Sequence, residues 1–345
     1  MRKSLRIGVD AMGGDHGPER IVEGAVEAVR SHSGEFEVVL VGDQAEISSH
    51  LARLGATKLP ISIVHTASKV DMSEKAVEAI RSKPDASIVV ALRHLRRGDL
   101  DAVVSAGNTG AAVAATLLHL GRIPGVLRPA IAVIVPTPKG HCVLLDVGAN
   151  SDCRPDQLFQ FALMGRVYAR FLFGVEEPSV GLLNIGEESS KGNDLAQQTF
   201  KRLEEQKERL HFVGNVEGRD VLKGTADVVV CDGFVGNVIL KFAESVLNLL
   251  IDTTRREVSK SLKLRIGALL VKPVLHRIRA RFNYEEYGGA PLLGVNGVTV
   301  IAHGSSSVKA IRNAVETAAR SARLRIQDLI REEVRIELQS RKAAG

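Results

Sequence analysis

The fold class follows from one stretch near the N-terminus, Leu5-Arg-Ile-Gly-Val-Asp-Ala-Met-Gly-Gly-Asp-His-Gly-Pro18. Residues 5–9 form an apolar run of strand length, and the glycines after it permit a tight loop that can approach a ligand. Pro18 suits the first turn of a following helix. A strand that leads through a glycine loop into a helix is typical of α/β proteins.

Short runs rich in Val, Ile and Leu alternate with longer helical patterns along the rest of the chain, as in a parallel sheet covered by helices on both faces. The predicted strands are residues 5–9, 36–41, 61–65, 102–105, 131–135, 143–146, 180–184, 227–231 and 298–302. We therefore predict a three-layer α/β/α fold with a mostly parallel sheet. Residues 1–345 are expected to form a single catalytic domain, either undivided or as two lobes on one sheet.

The composition excludes several classes of protein. With 345 residues, 45% hydrophobic and 25% charged, the chain can bury a large core and is not a disordered protein. Its three widely spaced cysteines indicate a reducing compartment and no disulfide or zinc framework. Since the apolar runs are short and residues 1–10 lack the shape of a signal peptide, we expect a cytoplasmic protein without a membrane span.

Positive charge is concentrated in one segment. The net charge is +6, yet residues 255–281 hold nine Lys or Arg and a single Glu, which leaves the remainder slightly acidic. Such a segment suits an acidic protein, an anionic lipid surface or a nucleic acid. We expect no nucleic acid partner, because the chain has no Trp, only three Tyr and no basic–aromatic alternation in this segment.

Six polar glycine loops each follow a predicted strand and open a helix. They are residues 10–18, 105–110, 146–150, 184–194, 231–237 and 303–307. Any one of them is explained by the ordinary chemistry of a turn or a helix cap. All six together predict a single cleft at one edge of the sheet, where helix N-termini would favour a phosphate-bearing ligand.

Several familiar active sites are absent from the sequence. There is no P-loop motif, no Gly-x-Gly-x-x-Gly after the first strand and no Gly-x-Ser-x-Gly elbow. Cys142 and Cys231 lie within predicted strands, where a thiol is usually buried and inert. These absences disfavour nucleotide cradles and enzymes with a covalent serine or cysteine intermediate.

Acyl transfer to inorganic phosphate needs no covalent nucleophile, because phosphate is itself anionic and nucleophilic, so positioning and charge stabilisation suffice. Lys191 can hold phosphate or the oxyanion of a thioester intermediate, Asn237 can donate to that oxyanion, and His16 can hold phosphate or move a proton. A solvated surface lysine and a structural loop histidine are the alternatives for Lys191 and His16.

The carboxylates near the predicted cleft favour a different reaction. They are Asp10, Asp15, Asp146, Glu187, Glu188 and Asp232, and together they would repel phosphate unless they orient cations or backbone, or bind a divalent metal. A metal- and NAD-dependent hydroxy-acid dehydrogenase is therefore the alternative enzyme. A membrane adaptor that uses residues 255–281 is the alternative without catalysis.

The chain also carries a set of long, ordered motifs: Asp10-Ala-Met-Gly-Gly-Asp15, Ser105-Ala-Gly-Asn-Thr-Gly110, Leu145-Asp-Val-Gly-Ala-Asn150, Asn184-Ile-Gly-Glu-Glu188 with Lys191-Gly-Asn193, Cys231-Asp-Gly-Phe-Val-Gly-Asn237, and Tyr287-Gly-Gly-Ala-Pro-Leu-Leu-Gly294 with His303-Gly-Ser305. Over residues 5 to about 330, they resemble the bacterial phosphate acyltransferases of phospholipid synthesis.

The resemblance implies an enzyme that transfers a fatty acyl group from acyl carrier protein to inorganic phosphate by direct attack, without a covalent acyl-enzyme. The acyl phosphate would supply a glycerol-phosphate acyltransferase. A fold similar to the isocitrate/isopropylmalate dehydrogenases and phosphotransacetylases, a homodimer and a peripherally membrane-associated cytoplasmic protein are also implied. We expect no cofactor and no metal.

The resemblance makes Lys191 and Asn237 the best catalytic candidates, to which we add His16. Further contacts to substrate or phosphate are expected from the glycine loops: Asp10, Gly13, Gly14, Asp15, Asn108, Thr109, Asp146, Asn150, Asn184, Glu187, Gly233, His303, Gly304 and Ser305.

Residues 245–285 are predicted to form a basic, amphipathic helical excursion that Pro273 kinks or splits. It is expected to dock on a membrane or on carrier protein through Lys263, Arg265, Leu269, Leu270, Val274, Leu275, Arg277 and Ile278. Packing against a partner subunit is the structural alternative. Residues 305–341 are predicted to form a helix whose core-facing residues are Ile311, Val315, Ala319, Ala322, Ile326, Leu329 and Ile330.

Overall fold

Strands and helices alternate through most of the chain, because apolar runs of four to eight residues are separated by amphipathic helical segments. A computed structural model describes residues 4–32, 34–282 and 288–344. The strands are β1 Leu5–Asp10, β2 Phe36–Gly42, β3 Ile61–His65, β4 Ala102–Ser105, β5 Ala130–Thr137, β6 Gly140–Leu145, β7 Val180–Leu183, β8 Phe212–Val216, β9 Val228–Val230, β10 Ala290–Leu293 and β11 Val298–Ile301.

The helices cover this sheet. They are α1 Gly17–Ser31, α2 Gln44–Arg53, α3 Ala76–Ser82, α4 Ser87–Arg97, α5 Thr109–His119, α6 Pro155–Phe173, α7 Asp194–Glu204, α8 Lys207–Leu210, α9 Gly218–Lys223, α10 Gly233–Ser259, α11 Leu262–Phe282, α12 Val308–Arg323 and α13 Ile326–Ala344. The predicted α/β class and mostly parallel sheet are confirmed.

The strands form one sheet of eleven in the order β3-β2-β1-β4-β11-β10-β5-β6-β9-β7-β8. β10 is antiparallel to both β11 and β5, and β6 is antiparallel to β5. Strands β6, β9, β7 and β8 are parallel to one another. They therefore run opposite to β1, β4 and β11. The strands are staggered so that Ile301 at the end of β11 pairs with Ala290 of β10, while Leu145 at the end of β6 pairs with Ala132, next to the pair of Ile131 with Leu292 of β10. The carboxyl ends of the two groups therefore meet in the middle of the sheet.

Strands of opposite direction therefore carry the six glycine loops, which face one another as two sets, whereas the prediction placed them in one row at a single edge. The loops after β1, β4 and β11 form one set, and the loops after β6, β9 and β7 form the other. Two strands were also missed. β10 contains Pro291, which argues against a central strand, and β8 is an edge strand interrupted by Gly214 and Asn215.

The core is divided among clusters on the two faces of the sheet. One packs the buried side of α1 and α12 on β1, β2, β4 and β11. Another packs α6 and α13 on β5, β6, β7 and β9. A third lies at the junction of the two strand groups, where Val147 after β6 packs with Ala112 of α5 and Ile301 of β11.

The predicted helical excursion consists of the second part of α10 and of α11. The chain reverses at Lys260 and Ser261, where Arg265 donates to the carbonyl of Ser259 at 2.8 Å. The predicted split at Pro273 is wrong, since α11 continues through it. Proline removes only one helical hydrogen bond, and an exposed helix leaves the released carbonyl open to water.

Helix α10 is more apolar than its short hydrophobic runs indicate. Among the described residues it is the one helix long and apolar enough, by length and composition, to cross a membrane, and only 6% of its most apolar stretch is buried. The first turn of α10 nonetheless packs on the loop after β6. The two segments are so close that a Cβ added at Gly236 would overlap the Asp146 carbonyl oxygen.

The C-terminal prediction of one long helix is corrected as well. Two helices, α12 and α13, meet at Arg325, whose φ of 53° breaks the helical path. Ile311, Val315, Ile326 and Ile330 are buried as predicted.

Candidate active site

The loop after β6 is built around a buried carboxylate. Asp146 has no exposed surface, and its Oδ1 accepts from the backbone N–H groups of Ile131, Gly148 and Ala149 at 2.9 to 3.1 Å. Its Oδ2 accepts from both nitrogens of Asn150 at 2.8 Å. Burial raises the pKa of Asp146, and these hydrogen bonds act in the opposite direction.

Three residues that were predicted to bind the substrate, Asp146, Asn150 and Gly233, make hydrogen bonds that hold this loop in place. Besides Asp146, Asn150 donates to the Pro129 carbonyl at 2.7 Å and accepts at its own carbonyl from Gly233 N at 2.8 Å. A Cβ on Gly233 would lie 2.6 Å from that carbonyl oxygen, so only glycine fits at this first position of α10.

Asn237 lies one turn into α10 and is exposed. Its Nδ2 is 3.3 Å from the position of a Cβ on Gly148, and Gly148 has a φ of 143° that only glycine adopts without strain. The missing side chain leaves room for the Asn237 amide beside the loop. The amide is accordingly available to donate to a bound group.

Lys191 lies in the loop after β7, and hydrogen bonds within this loop and to β8 hold the loop in place. Asn184 donates from Nδ2 to the Lys191 carbonyl at 3.1 Å and accepts from Ile185 N at 2.8 Å. Lys191 N donates to the Glu188 carbonyl at 3.1 Å, and that carbonyl also accepts from Asn215 at 2.9 Å. Asn184 thus positions Lys191 through the backbone.

The Lys191 side chain is exposed. Within the described part of the chain, no carboxylate oxygen lies within 4 Å of its ammonium nitrogen, although Glu187 and Glu188 are neighbours in the loop. Glu187 instead faces Arg219 at 4.0 Å. Because β7 and β9 are adjacent and parallel, the loops that carry Lys191 and Asn237 emerge at the same edge of the sheet.

The second set of loops is joined by direct contacts. Asp15 N donates to the Gly304 carbonyl at 2.8 Å, and Ser105 Oγ donates to Oδ2 of the buried Asp10 at 2.7 Å. Burial is the main cause of the raised pKa of Asp10. Asn108 caps α5 by accepting from Ala111 N at 3.0 Å.

The glycines of this set allow close approach of one loop to another. A Cβ on Gly13 would lie 2.7 Å from Gly107 N, and one on Gly14 would lie 3.0 Å from the Gly304 carbonyl oxygen. His16 and Thr109 are exposed at the helix starts that follow. The His16 imidazole makes no hydrogen bond to the described residues, and its side chain does not cap α1.

A polar contact also joins the two sets of loops. Lys241 Nζ lies 3.1 Å from His303 Nε2, and His303 Nδ1 lies 2.8 Å from Ser305 Oγ. Lys241 follows Asn237 by four residues on α10, whereas His303 and Ser305 follow β11. Sequence reasoning missed Lys241, and its spacing from Asn237 is the one signal that could have identified it.

No thiol is suited to act as a nucleophile. Cys142, Cys153 and Cys231 are all buried, and burial raises the pKa of Cys142 and of Cys153 to about 12 and that of Cys231 in the same direction. The described residues contain no cluster of three or more His, Cys, Asp or Glu arranged to hold a metal ion.

The predicted docking residues that the structure describes all lie on the surface of α11: Lys263, Arg265, Leu269, Leu270 and Val274. Leu269 and Leu270 are 66% and 79% exposed. Leu275, Arg277 and Ile278 belong to α11 by their backbone, but their side chains lie outside the described part, and Tyr287 lies outside the described residues.

Sequence relatives cover nearly the whole chain. The family model described as "Fatty acid synthesis protein" matches residues 5–328. The phosphate acyltransferase of a Cyanothece species is 50% identical over 333 residues, 96% of each chain. That of Pelotomaculum thermopropionicum is 46% identical over 341 residues, 99% of this chain and 97% of the relative.

Solved structures share the fold. A phosphotransacetylase from Streptococcus pyogenes superposes with a TM-score of 0.63 at 18% identity, over 93% of this chain and 95% of that one. The EutD phosphotransacetylase from Staphylococcus aureus gives 0.60 at 15% identity, over 92% and 94%. From the sequence relatives, this chain is an acyltransferase and belongs to the phosphate acyltransferase family of fatty acid and phospholipid synthesis.

Proposed function

We propose that this enzyme transfers a fatty acyl group from the thioester of acyl carrier protein to inorganic phosphate. A phosphate oxygen attacks the thioester carbonyl carbon and forms a tetrahedral oxyanion. The oxyanion collapses, the carbon–sulfur bond breaks, and the proton that hydrogen phosphate loses is taken up by the departing thiolate. The products are acyl phosphate and carrier protein with a free thiol.

The main support for this proposal is the exposed ammonium group of Lys191. It lies at the carboxyl end of β7 on a loop braced by Asn184, and no carboxylate among the described residues neutralises it within 4 Å. A preorganised cation of this kind stabilises an oxyanion or a phosphate without rearrangement during the reaction. Lys191 is accordingly the principal catalytic group of the proposed mechanism.

Asn237 supplies the neutral donor. Its amide stands beside Gly148 at the same edge of the sheet as the Lys191 loop, and an amide N–H is a suitable donor to the oxyanion. His16, exposed at the start of α1, is proposed to hold phosphate or move its proton. Asp10, Asp146 and Asn150 support the backbone of the loops instead of touching the reacting atoms.

The proposed reaction passes through no acyl-enzyme. All three thiols are buried with raised pKa values, so each stays protonated and shielded at neutral pH. With no thiol available as a nucleophile, we propose that phosphate attacks the thioester itself. No step requires a cofactor.

An assay of carrier-protein thiol tests the function. Palmitoyl-acyl carrier protein is mixed with the enzyme with and without phosphate, and hydroxylamine traps acyl phosphate as the hydroxamate. Thiol release that requires phosphate, with an equal amount of hydroxamate, is expected. Absence of both products from folded enzyme would refute the proposal.

The hairpin of α10 and α11 is proposed to bring the enzyme to an anionic membrane surface, where a glycerol-phosphate acyltransferase consumes the product. Exposed leucines beside Lys263 and Arg265 support an interfacial helix. We propose that α10 does not cross the membrane, because its first turn packs on the loop after β6.

Flotation with vesicles of anionic and of neutral lipid tests this docking. Leu269→Glu and Leu270→Glu are expected to abolish flotation with anionic vesicles, whereas Leu222→Glu, an exposed leucine of α9, serves as the matched control. Unchanged flotation of both hairpin variants would contradict docking of this surface on lipid.

A cytoplasmic homodimer is the proposed assembly. Helix α10 presents large apolar side chains to solvent, among them Phe242 at 70% and Leu249 at 65% exposure, as expected of a face that a second subunit covers. Light scattering should give a mass of about twice 37.1 kDa. A monomeric mass at working concentration would contradict the dimer.

A further inference from the structure

Side-chain amides hold the backbone of the loop that carries Lys191. Gln197 lies in the first turn of α7, and its Nε2 donates to the carbonyl of Ser190 at 2.8 Å and to that of Gly192 at 3.2 Å. An amide nitrogen has two N–H donors, and both are used here. One side chain therefore holds the peptide groups on both sides of Lys191.

Two further amides act on the same loop from the sheet. Asn184, directly after β7, donates to the Lys191 carbonyl at 3.1 Å, and Asn215 of β8 donates to the Glu188 carbonyl at 2.9 Å. The Glu188 carbonyl also accepts from Lys191 N at 3.1 Å. Every partner of the three amide nitrogens is a carbonyl oxygen, so each of these groups acts as a donor.

The stem of the Lys191 side chain packs on the backbone of Gly186. A Cβ added at Gly186 would lie 3.0 Å from Lys191 Cγ and 3.4 Å from Lys191 Cδ, so the absence of a side chain makes room for the stem. Because a lysine side chain has many rotamers, the position of a catalytic ammonium group depends on the backbone and the contacts that hold it. The three amides hold the backbone, and Gly186 receives the stem.

We propose that Gln197 and Asn215 are positioning residues for Lys191: they hold the backbone of residues 188–192 so that the ammonium group is preorganised for the oxyanion. Gln197 is half-buried and Asn215 is buried, and both act on the loop instead of touching the substrate. A displacement of about 1 Å can cost a catalytic group about a hundredfold in rate, so these contacts matter for turnover. The inference rests on the proposed function of Lys191.

Turnover in a double-mutant cycle provides the first test. Gln197→Met keeps the length of the side chain and removes its donors, and it is expected to lower kcat about tenfold while the KM for phosphate changes less than about threefold. In the Lys191→Ala background the same change should cost less than about twofold, because no ammonium group is left to position. A residue that only stabilised the fold would cost the same in both backgrounds.

Gln198→Met is the matched control. Gln198 is the next residue of α7, is exposed and makes no side-chain hydrogen bond to the described residues, so this variant should keep normal turnover. Asn215→Ala should reproduce the loss of kcat seen in Gln197→Met, and thermal unfolding establishes whether it folds. If Asn215→Ala does not fold, Gln197→Met decides the question, since Gln197 is only half-buried.

Cleavage by trypsin after Lys191 is the second readout and does not depend on turnover. Trypsin cuts on the carboxyl side of lysine, and an exposed lysine in a loop that is held in place is cut only when the loop opens. Gln197→Met should raise the rate of cleavage between Lys191 and Gly192 about fivefold or more, whereas Gln198→Met should be cut like the unmodified enzyme. Mass spectrometry identifies the fragments 1–191 and 192–345, which Lys191→Ala should not give.

Normal turnover of Gln197→Met, an equal loss of kcat in both backgrounds, or an unchanged rate of cleavage after Lys191 would overturn the inference. If the unmodified enzyme made no acyl phosphate, the proposed function would fail, and the rate of cleavage would still decide whether Gln197 holds the loop. The two failures are therefore distinguishable.

Discussion

The side-chain amide of Asn237 occupies space that exists because residue 148 is glycine: a Cβ at Gly148 would come within 3.3 Å of Asn237 Nδ2. The loop after β6 and the first turn of α10 therefore pack closely at this point. A side chain at residue 148 would change the position of the Asn237 amide and its access to a substrate.

Gly148→Ala is expected to lower kcat about tenfold, because the new methyl group displaces the Asn237 amide. Alanine at a φ of 143° also costs on the order of 1–3 kcal/mol of strain. Gly140→Ala separates the two effects, since Gly140 has a φ of 132° and open space around its Cβ. Equal losses of turnover in both variants would show that strain alone is responsible.

Lys191→Ala is expected to reduce turnover about a hundredfold or more, the scale of one lost preorganised oxyanion contact. Lys201→Ala, an exposed lysine of α7, should retain normal turnover. Circular dichroism and thermal unfolding would establish that both variants fold. Near-normal turnover of folded Lys191→Ala would remove this lysine from the mechanism.

Alkylation with iodoacetamide at pH 8 is expected to leave turnover unchanged within about twofold, because raised pKa values and burial protect all three thiols. The native enzyme should show few reactive thiols in a colorimetric assay, and three after unfolding. Rapid inactivation by one equivalent of reagent, prevented by the acyl substrate, would indicate a catalytic cysteine instead.

Asp10 should make the stability of the fold depend on pH. Burial raises its pKa in the folded protein above the usual range of an aspartate, so the unfolded chain loses its proton first as pH rises. The stability contributed by the protonated carboxyl is therefore full below the unfolded pKa and lost as pH rises through the folded pKa.

Asp10→Asn removes this titration. Relative to that of the unmodified enzyme, its free energy of unfolding should become larger as pH is raised from 4 towards neutrality, because the unmodified enzyme loses stability over this range and the variant does not. Urea unfolding of both proteins at each pH measures the difference, in which the other titrating groups cancel. A difference that does not vary with pH would contradict the assigned shift.

Local sequence patterns were sufficient for much of the fold. An apolar run followed by a glycine loop predicted β1, β4, β6, β7, β9 and β11 and the helices after them, because strand length, turn chemistry and capping are local properties. The direction of the strands was not predictable in this way. It depends on β10, a short strand with a proline that pairs antiparallel to β11 and β5, and such pairing is not encoded by local periodicity.

The same distinction applies to the site. Lys191 and Asn237 could be proposed from the sequence because they stand in glycine loops, which local patterns reveal. Lys241 stands in an ordinary helical pattern, and its contact to His303 joins residues 62 apart in the chain. The burial of Asp146 was also not predictable from the sequence, since an aspartate after a strand can face either the ligand or its own loop.

Direct attack of phosphate on the thioester is tested by an experiment that begins without phosphate. The enzyme is mixed with an excess of palmitoyl-acyl carrier protein, free thiol is measured, and the intact mass of the enzyme is recorded; phosphate is then added. We expect no thiol and no added mass before phosphate, and equal amounts of thiol and acyl phosphate afterwards. A burst of thiol equal to the enzyme concentration before phosphate, with a palmitoyl group added to the enzyme, would contradict the account.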